Sequence, residues 1–189
     1  TWGSGVNWGG DLNGNSNNIM IKQYTDTGKN IADNYFGFHI QGDNNNVKGG
    51  QGYYINDSGT YTRSQGWGDN YMRLDIHGDD NNVITAQRTD AANNGATAYV
   101  NVYADYNDVY VQQRQGSHTL NLTINNDSND VWITQAGQPA HTSTITLTGA
   151  YPTDLTLQQG VHATTTALTY TLFQNCQTAG GCTVSVTQE

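Results

Sequence analysis

The chain has 189 residues, 12% of them charged, and a net charge of −9 from 16 Asp and Glu against 7 Lys and Arg. So few cations argue against nucleic acid or an anionic membrane surface as partner, since both are held by basic patches. No apolar run approaches the ~20 residues of a membrane span, and the polar, proline-poor composition fits either disorder or a repetitive β structure.

Residues 1–16 (TWGSGVNWGGDLNGNS) form a Gly/Asn-rich segment in which Val6 and Trp8 are placed to begin a first strand. They read as a leader, a cap or a strand given to a neighbouring subunit. A start at Thr1 with no charged-then-apolar leader is expected of a secreted chain whose signal peptide has gone.

From residue 17 onward one pattern recurs. Counting back from a glutamine, an apolar or small residue stands two and four positions before it, and usually an Asn six before. The copies are Asn17, Ile19, Ile21, Gln23; Asn45, Val47, Gly49, Gln51; Asn81, Val83, Thr85, Gln87; and Asn107, Val109, Val111, Gln113. Then follow Asn129, Val131, Ile133, Gln135; Thr153, Leu155, Leu157, Gln159; and Cys182, Val184, Val186, Gln188. Period-two alternation is the signature of half-buried strands. A second set of alternating pairs precedes four of the copies: Phe38 and Ile40, Leu74 and Ile76, Val100 and Val102, Leu122 and Ile124. Copy six, with Ile145 and Leu147, is one residue longer, and its extra residue falls between Gly149 and Thr153. A unit repeated at this period buries its apolar face only against its neighbours. The expected fold is therefore all-β, a β-solenoid of about seven two-stranded rungs joined by Asn/Asp/Gly-rich arches.

Two insertions interrupt the solenoid of residues 17–189, at 52–70 and 88–95. The first carries Tyr53, Tyr54, Tyr61 and Trp67 and is expected to pack over a neighbouring rung, the alternative being a glycan or subunit contact. The arches hold Gly42 to Asn45, Gly78 to Asn81 and Asn125 to Ser128. Gly, Asn and Asp take left-handed backbone angles cheaply, so turning explains them without calcium, and no cofactor is expected. Cys176 and Cys182 flank the last arch and are expected to close a short disulfide loop, with a pair of free thiols as the alternative.

Alternation turns each glutamine inward. A buried amide without partners costs ~1–3 kcal/mol, so the column Gln23, Gln51, Gln87, Gln113, Gln135, Gln159, Gln188 is tolerable only if the amides hydrogen-bond rung to rung. Asn17, Asn45, Asn81, Asn107 and Asn129 can do the same beside the arches.

On these residues the chain resembles the curlins, subunits of bacterial curli fibres, whose repeat runs Ser, five residues, Gln, four residues, Asn, five residues, Gln. In HTLNLTINNDSNDVWITQ, His118 stands at the Ser position, Ile124 at the first Gln, Asn129 at the Asn and Gln135 at the last Gln. The first Gln is elsewhere replaced by Ile40, Ile76, Val102 and Leu147, and insertions vary the repeat length. The resemblance implies a secreted, non-enzymatic subunit of a cell-surface or biofilm fibre. The pattern runs to Gln188 with no C-terminal cap visible, which predicts open edges and end-to-end self-association, with a polysaccharide or a nucleator protein as further candidate partners.

No nucleophile elbow, His-Glu-x-x-His, P-loop or Cys-x-x-Cys occurs, so no enzyme is expected. His118, His141 and His162 begin successive first strands and are expected to form an exposed column at the rung corner rather than a metal ladder. Rows such as Thr142, Thr144, Thr146 and Thr148 resemble those of ice-binding solenoids, and Tyr110 with Trp132 suits a glycan; a monomeric ice or glycan binder is the alternative function.

Overall fold

The computed structural model describes residues 11–24, 36–56, 59–63, 70–89, 95–114, 116–137, 140–160 and 166–189. Val6, Trp8, Trp67 and His162 lie outside them. Thirteen strands and no helix occur among the described residues. Seven strands build one parallel sheet: β2 (Asn18–Gln23), β4 (Asn46–Gln51), β7 (Asn82–Gln87), β8 (Asp108–Gln113), β9 (Asp130–Val131), β11 (Thr153–Asp154) and β13 (Cys182–Thr183). Their register follows the repeat, so Val47 pairs with Val83 and Val83 with Val109, while Gln23, Gln51, Gln87 and Gln113 stand side by side.

The opposite face is less regular. β1 (Asp11–Asn13) pairs with β3 (His39–Gln41) at one end, and β10 (Thr142–Gly149) with β12 (Thr169–Cys176) at the other, both in parallel. Between them, residues 72–77, 98–103 and 120–125 keep the inward alternation: Leu74, Ile76, Val100, Val102, Leu122 and Ile124 are all fully buried. They do not form the expected strands, however. Ile76, Val100, Val102 and Leu122 have positive φ, which turns peptide planes out of the ladder direction. Isolated bonds remain, such as Ile76 N–H to Asn101 O and Val100 N–H to Asn121 O, both 3.1 Å. The solenoid winds about five turns, slightly fewer than the seven rungs expected. Rungs are numbered below by their glutamines, one to seven.

Between the faces lies a single core of stacked aliphatic side chains, from Ile40 and Val47 to Leu155 and Leu157. Each fully buried Val, Leu or Ile contributes about 1.5–3 kcal/mol, so the stack supplies most of the drive to fold. The arches are tight because the residue before the column Asn is left-handed in five of them: Ser16, Asn44, Asp80, Tyr106 and Ser128 all have φ between 55° and 61°. Arches also stack closely. A Cβ on Gly42 would collide with the carbonyl of Gly78 in the next arch.

The long insertion forms an antiparallel hairpin, β5 (Tyr53–Ile55) with β6 (Tyr61–Arg63), lying over the outward face of the seven-stranded sheet. The Tyr61 hydroxyl donates to Thr85 O at 2.8 Å, its ring occupies the space left by the missing side chain of Gly50, and Lys22 Nζ lies 5.8 Å from that ring. This is the packing role expected of the aromatic insertion. Cys176 and Cys182 form a disulfide with a Cα–Cα distance of 5.8 Å, closing the last arch.

A covalent loop this short removes roughly 2 kcal/mol of unfolded-state freedom. Reduction, or Cys176→Ser with Cys182→Ser, is expected to lower the Tm by roughly 4–8 °C, and calorimetry with and without reductant measures it.

Candidate functional site

An inward glutamine at the end of each second strand arrives beside its equivalents because the strands are parallel and in register. Gln23 Nε2 donates to Gln51 Oε1 at 2.8 Å, and Gln51 Nε2 to Gln87 Oε1 at 3.3 Å. From the other end, Gln188 Nε2 donates to Gln159 Oε1 at 2.7 Å, Gln159 to Gln135 at 2.5 Å and Gln135 to Gln113 at 2.6 Å. The column thus consists of two runs pointing toward each other. Where they meet, Gln87 Nε2 donates to Tyr71 O and Gln113 Nε2 to Ala96 O. The second proton of the amide has a use elsewhere too: Gln135 reaches Thr119 O and Gln159 reaches Thr142 O, both at 2.9 Å. Those carbonyls lie 16 and 17 residues earlier, on the opposite strand of the same rung. Each such amide therefore links neighbouring rungs and closes its own. From Gln51 to Gln159 the column is fully buried, whereas Gln23 is exposed and Gln188 half-buried.

The asparagine column is polar in one direction only. The Oδ1 of Asn17, Asn45, Asn81 and Asn107 accepts the backbone N–H of the next column Asn at 2.8–3.0 Å. Their Nδ2 atoms bind arch carbonyls, Asn45 to Gly78 O and Asn81 to Ala104 O, both at 2.7 Å. Asn129 Oδ1 receives Thr153 N–H at 2.7 Å, and there the column ends; the buried Thr153 Oγ1 has no partner.

Two further columns escaped the sequence reading. In the arches, Asp43, Asp79, Asp105 and Asp127 each accept the backbone N–H of the preceding arch at 2.6–3.0 Å. The signal was an acid two positions before the column Asn, read above only as a turn former. On the outward face, Asn18, Asn46 and Asn82 chain through side-chain amides to Asp108 at 2.7–2.9 Å, and Asp130 and Asp154 continue the row. Burial first, then the carboxylates of Asp108 and Asp154, raises the Asp130 pKa above its ordinary value.

The histidine expectation needs correction. His118 and His141 are fully buried, not exposed, with parallel rings 5.1 Å apart. His118 Nδ1 accepts His141 N–H at 3.1 Å and His141 Nδ1 accepts Leu168 N–H at 3.2 Å. A ring used as an acceptor for the next rung has to lie inside the corner, and it has to be neutral. Burial lowers the His141 pKa below 6.5.

A polar network also sits on the first-strand face. The buried Asp75 carboxylate accepts from Arg73 Nη2 at 3.1 Å, Asn101 Nδ2 at 2.6 Å and the Tyr103 hydroxyl at 3.0 Å. These residues come from different repeats and have no shared sequence pattern. Among the described residues, no three His, Cys, Asp or Glu side chains converge as metal ligands would.

The fold and its columns define a β-solenoid held together by stacked side-chain amides. No protein-family model matches the chain, and neither do any curated proteins or solved structures.

Gln135→Ala would strand Gln113 Oε1 in the core and take one partner each from Gln159 Nε2, Ser143 Oγ and Thr119 O, and is expected to cost about 3 kcal/mol, against under about 1 kcal/mol for exposed Gln23→Ala. Urea unfolding of both variants checks the contrast. For His141 the unfolded chain binds the proton more tightly, so stability is full above the ordinary value of 6.5 and falls as pH drops toward the lower folded value. The expected result is a Tm that declines between about pH 7 and pH 5 and declines less in His141→Gln, measured by thermal melts across that range.

Proposed function

We propose that the protein is a structural subunit of an extracellular, curli-like filament that grows by end-to-end stacking of solenoid rungs. The observation that carries this reading is the state of the two outermost rungs. Among the described residues, β2 pairs only with β4 and β13 only with β11, so each leaves one strand edge open. Core side chains continue to those edges: Ile19 and Ile21 at one end, Val184 and Val186 at the other, are only partly buried, and Leu12 is 44% exposed.

An open parallel edge with apolar side chains attracts another strand of the same pattern. Head-to-tail contact uses different surfaces on the two partners and does not close, so it makes a filament rather than a dimer. In continuous register Gln188 of one copy meets Gln23 of the next, Val186 meets Ile21 and Val184 meets Ile19. The threonine rows give less support to ice binding. Thr142 pairs with Thr169 and Thr144 with Thr171, but Thr146 stands beside Phe173 and Thr148 beside Asn175.

Negative-stain electron microscopy of the purified chain, fresh and after a day at neutral pH, is expected to find long unbranched filaments. Ile21→Lys and Val186→Lys should each stay monomeric while keeping their β circular dichroism. Mixing the two variants should give dimers, because one intact head then meets one intact tail. Wild-type chains that remain short rods sink the reading.

A further inference from the structure

The outward face of the seven-stranded sheet is only partly covered. The hairpin β5–β6 spans its first rungs, and its far end is fixed where Ile55 N–H donates to Gln112 Oε1 at 2.8 Å. Past that point, at rung five, Trp132 is 53% exposed. Its ring lies 5.2 Å from that of Tyr110 on the neighbouring strand. Both rings are held in place: Gln112 Nε2 donates to the Tyr110 hydroxyl at 3.1 Å, and Trp132 Nε1 donates to Thr134 Oγ1 at 3.0 Å. Side chains fixed before a ligand arrives do not lose rotamer freedom on binding, so an exposed aromatic pair secured in this way is a ready platform.

The chemistry beside the platform selects a ligand. Asp108, Asp130 and Asp154 stand in register on three successive strands, one step along each strand from the aromatic column. Up to each column glutamine the outward residues of rungs four to seven are otherwise Gln, Thr and Ser, and Arg114 follows at the end of rung four. Three carboxylates at one strand spacing repel one another and any polyanion, and ammonium groups laid along the row would relieve that repulsion. Trp and Tyr rings take the C–H face of a pyranose, and they also attract a cation. Sugars of an extended β-linked chain advance by roughly one strand spacing, ~5 Å, and alternate sugars are turned over, so amines along one edge of the chain recur at about every second strand and meet Asp108 and Asp154 on either side of Asp130.

We propose that Tyr110 and Trp132, with Asp108, Asp130 and Asp154, bind an amino-sugar polymer bearing free amines, laid along the solenoid axis across the strands. Burial first, and then the flanking carboxylates of Asp108 and Asp154, raise the Asp130 pKa, and an ammonium group at the row would offset the second of these causes. This inference does not rest on filament formation, since the strip lies on a sheet face rather than at either end.

Titration calorimetry of the full-length chain with a glucosamine hexamer at low salt tests it, with an N-acetylglucosamine hexamer and a lysine hexamer as the other probes. The expected result is saturable binding of the glucosamine hexamer, at least about tenfold tighter than that of its N-acetylated form. Trp132→Ala should weaken it about tenfold and Asp130→Asn about threefold. Both positions are exposed, so both variants should keep the fold, and circular dichroism checks that they do. Absence of saturable binding, equal binding of the acetylated hexamer, or equal binding of the lysine hexamer with no loss in Trp132→Ala overturns the proposal. The three-ligand comparison uses unmodified protein and decides the matter even if a variant misfolds.

Discussion

A primary amide taken out of water must replace its hydrogen bonds or forfeit several kcal/mol. In this protein the replacement is the same residue on the next rung. That requirement fixes the strand register, because a slip of one residue would face each glutamine with a residue pointing the other way. It also fixes the topology, since only parallel strands in register bring like residues together in columns. The aliphatic stack supplies the larger energy, yet it would tolerate sliding. The amides do not, so burial drives the collapse and hydrogen bonding determines which collapsed form is kept.

Three kinds of column divide the labour. The glutamines bind rung to rung and strand to strand across the core. The asparagines bind each arch to the next through a backbone N–H, which makes their direction the direction of the chain. The arch aspartates make the converse link on the outside, each accepting from the arch before it, where a carboxylate can keep its charge in contact with water. Acceptors therefore grow more charged toward the solvent, as the cost of desolvation requires.

Much of the fold was legible because it is periodic. Any reading that places Val131 and Ile133 in the core also places Gln135 there, and an amide so placed implies its column. The features missed depend on what lies across the rung. Val100 and Val102 are β-branched and alternate like a strand, yet both have positive φ, which leaves no mark in local sequence. His118 and His141 looked like corner residues because nothing in the chain says that a ring nitrogen will accept a backbone N–H 23 or 27 residues away. Asp75 finds Arg73 nearby but finds Asn101 and Tyr103 only through the lengths of the intervening insertions. Gly50 drew no reading from the sequence, and its role is to make room for Tyr61.

The glutamine column contains a defect of the kind met in ordered solids. Its two runs meet nitrogen to nitrogen between Gln87 and Gln113, like a wall between oppositely magnetised domains, and so both outer amides, Gln23 and Gln188, direct their donors inward. Two copies stacked end to end would bring oxygen toward oxygen, a second wall of the opposite kind. Walls of opposite kind annihilate: turning over Gln87, Gln51 and Gln23 in succession carries the inner wall to the junction one rung at a time. Under the proposed stacking, joining two copies would call for a series of single amide rotations, and no rung would have to unfold.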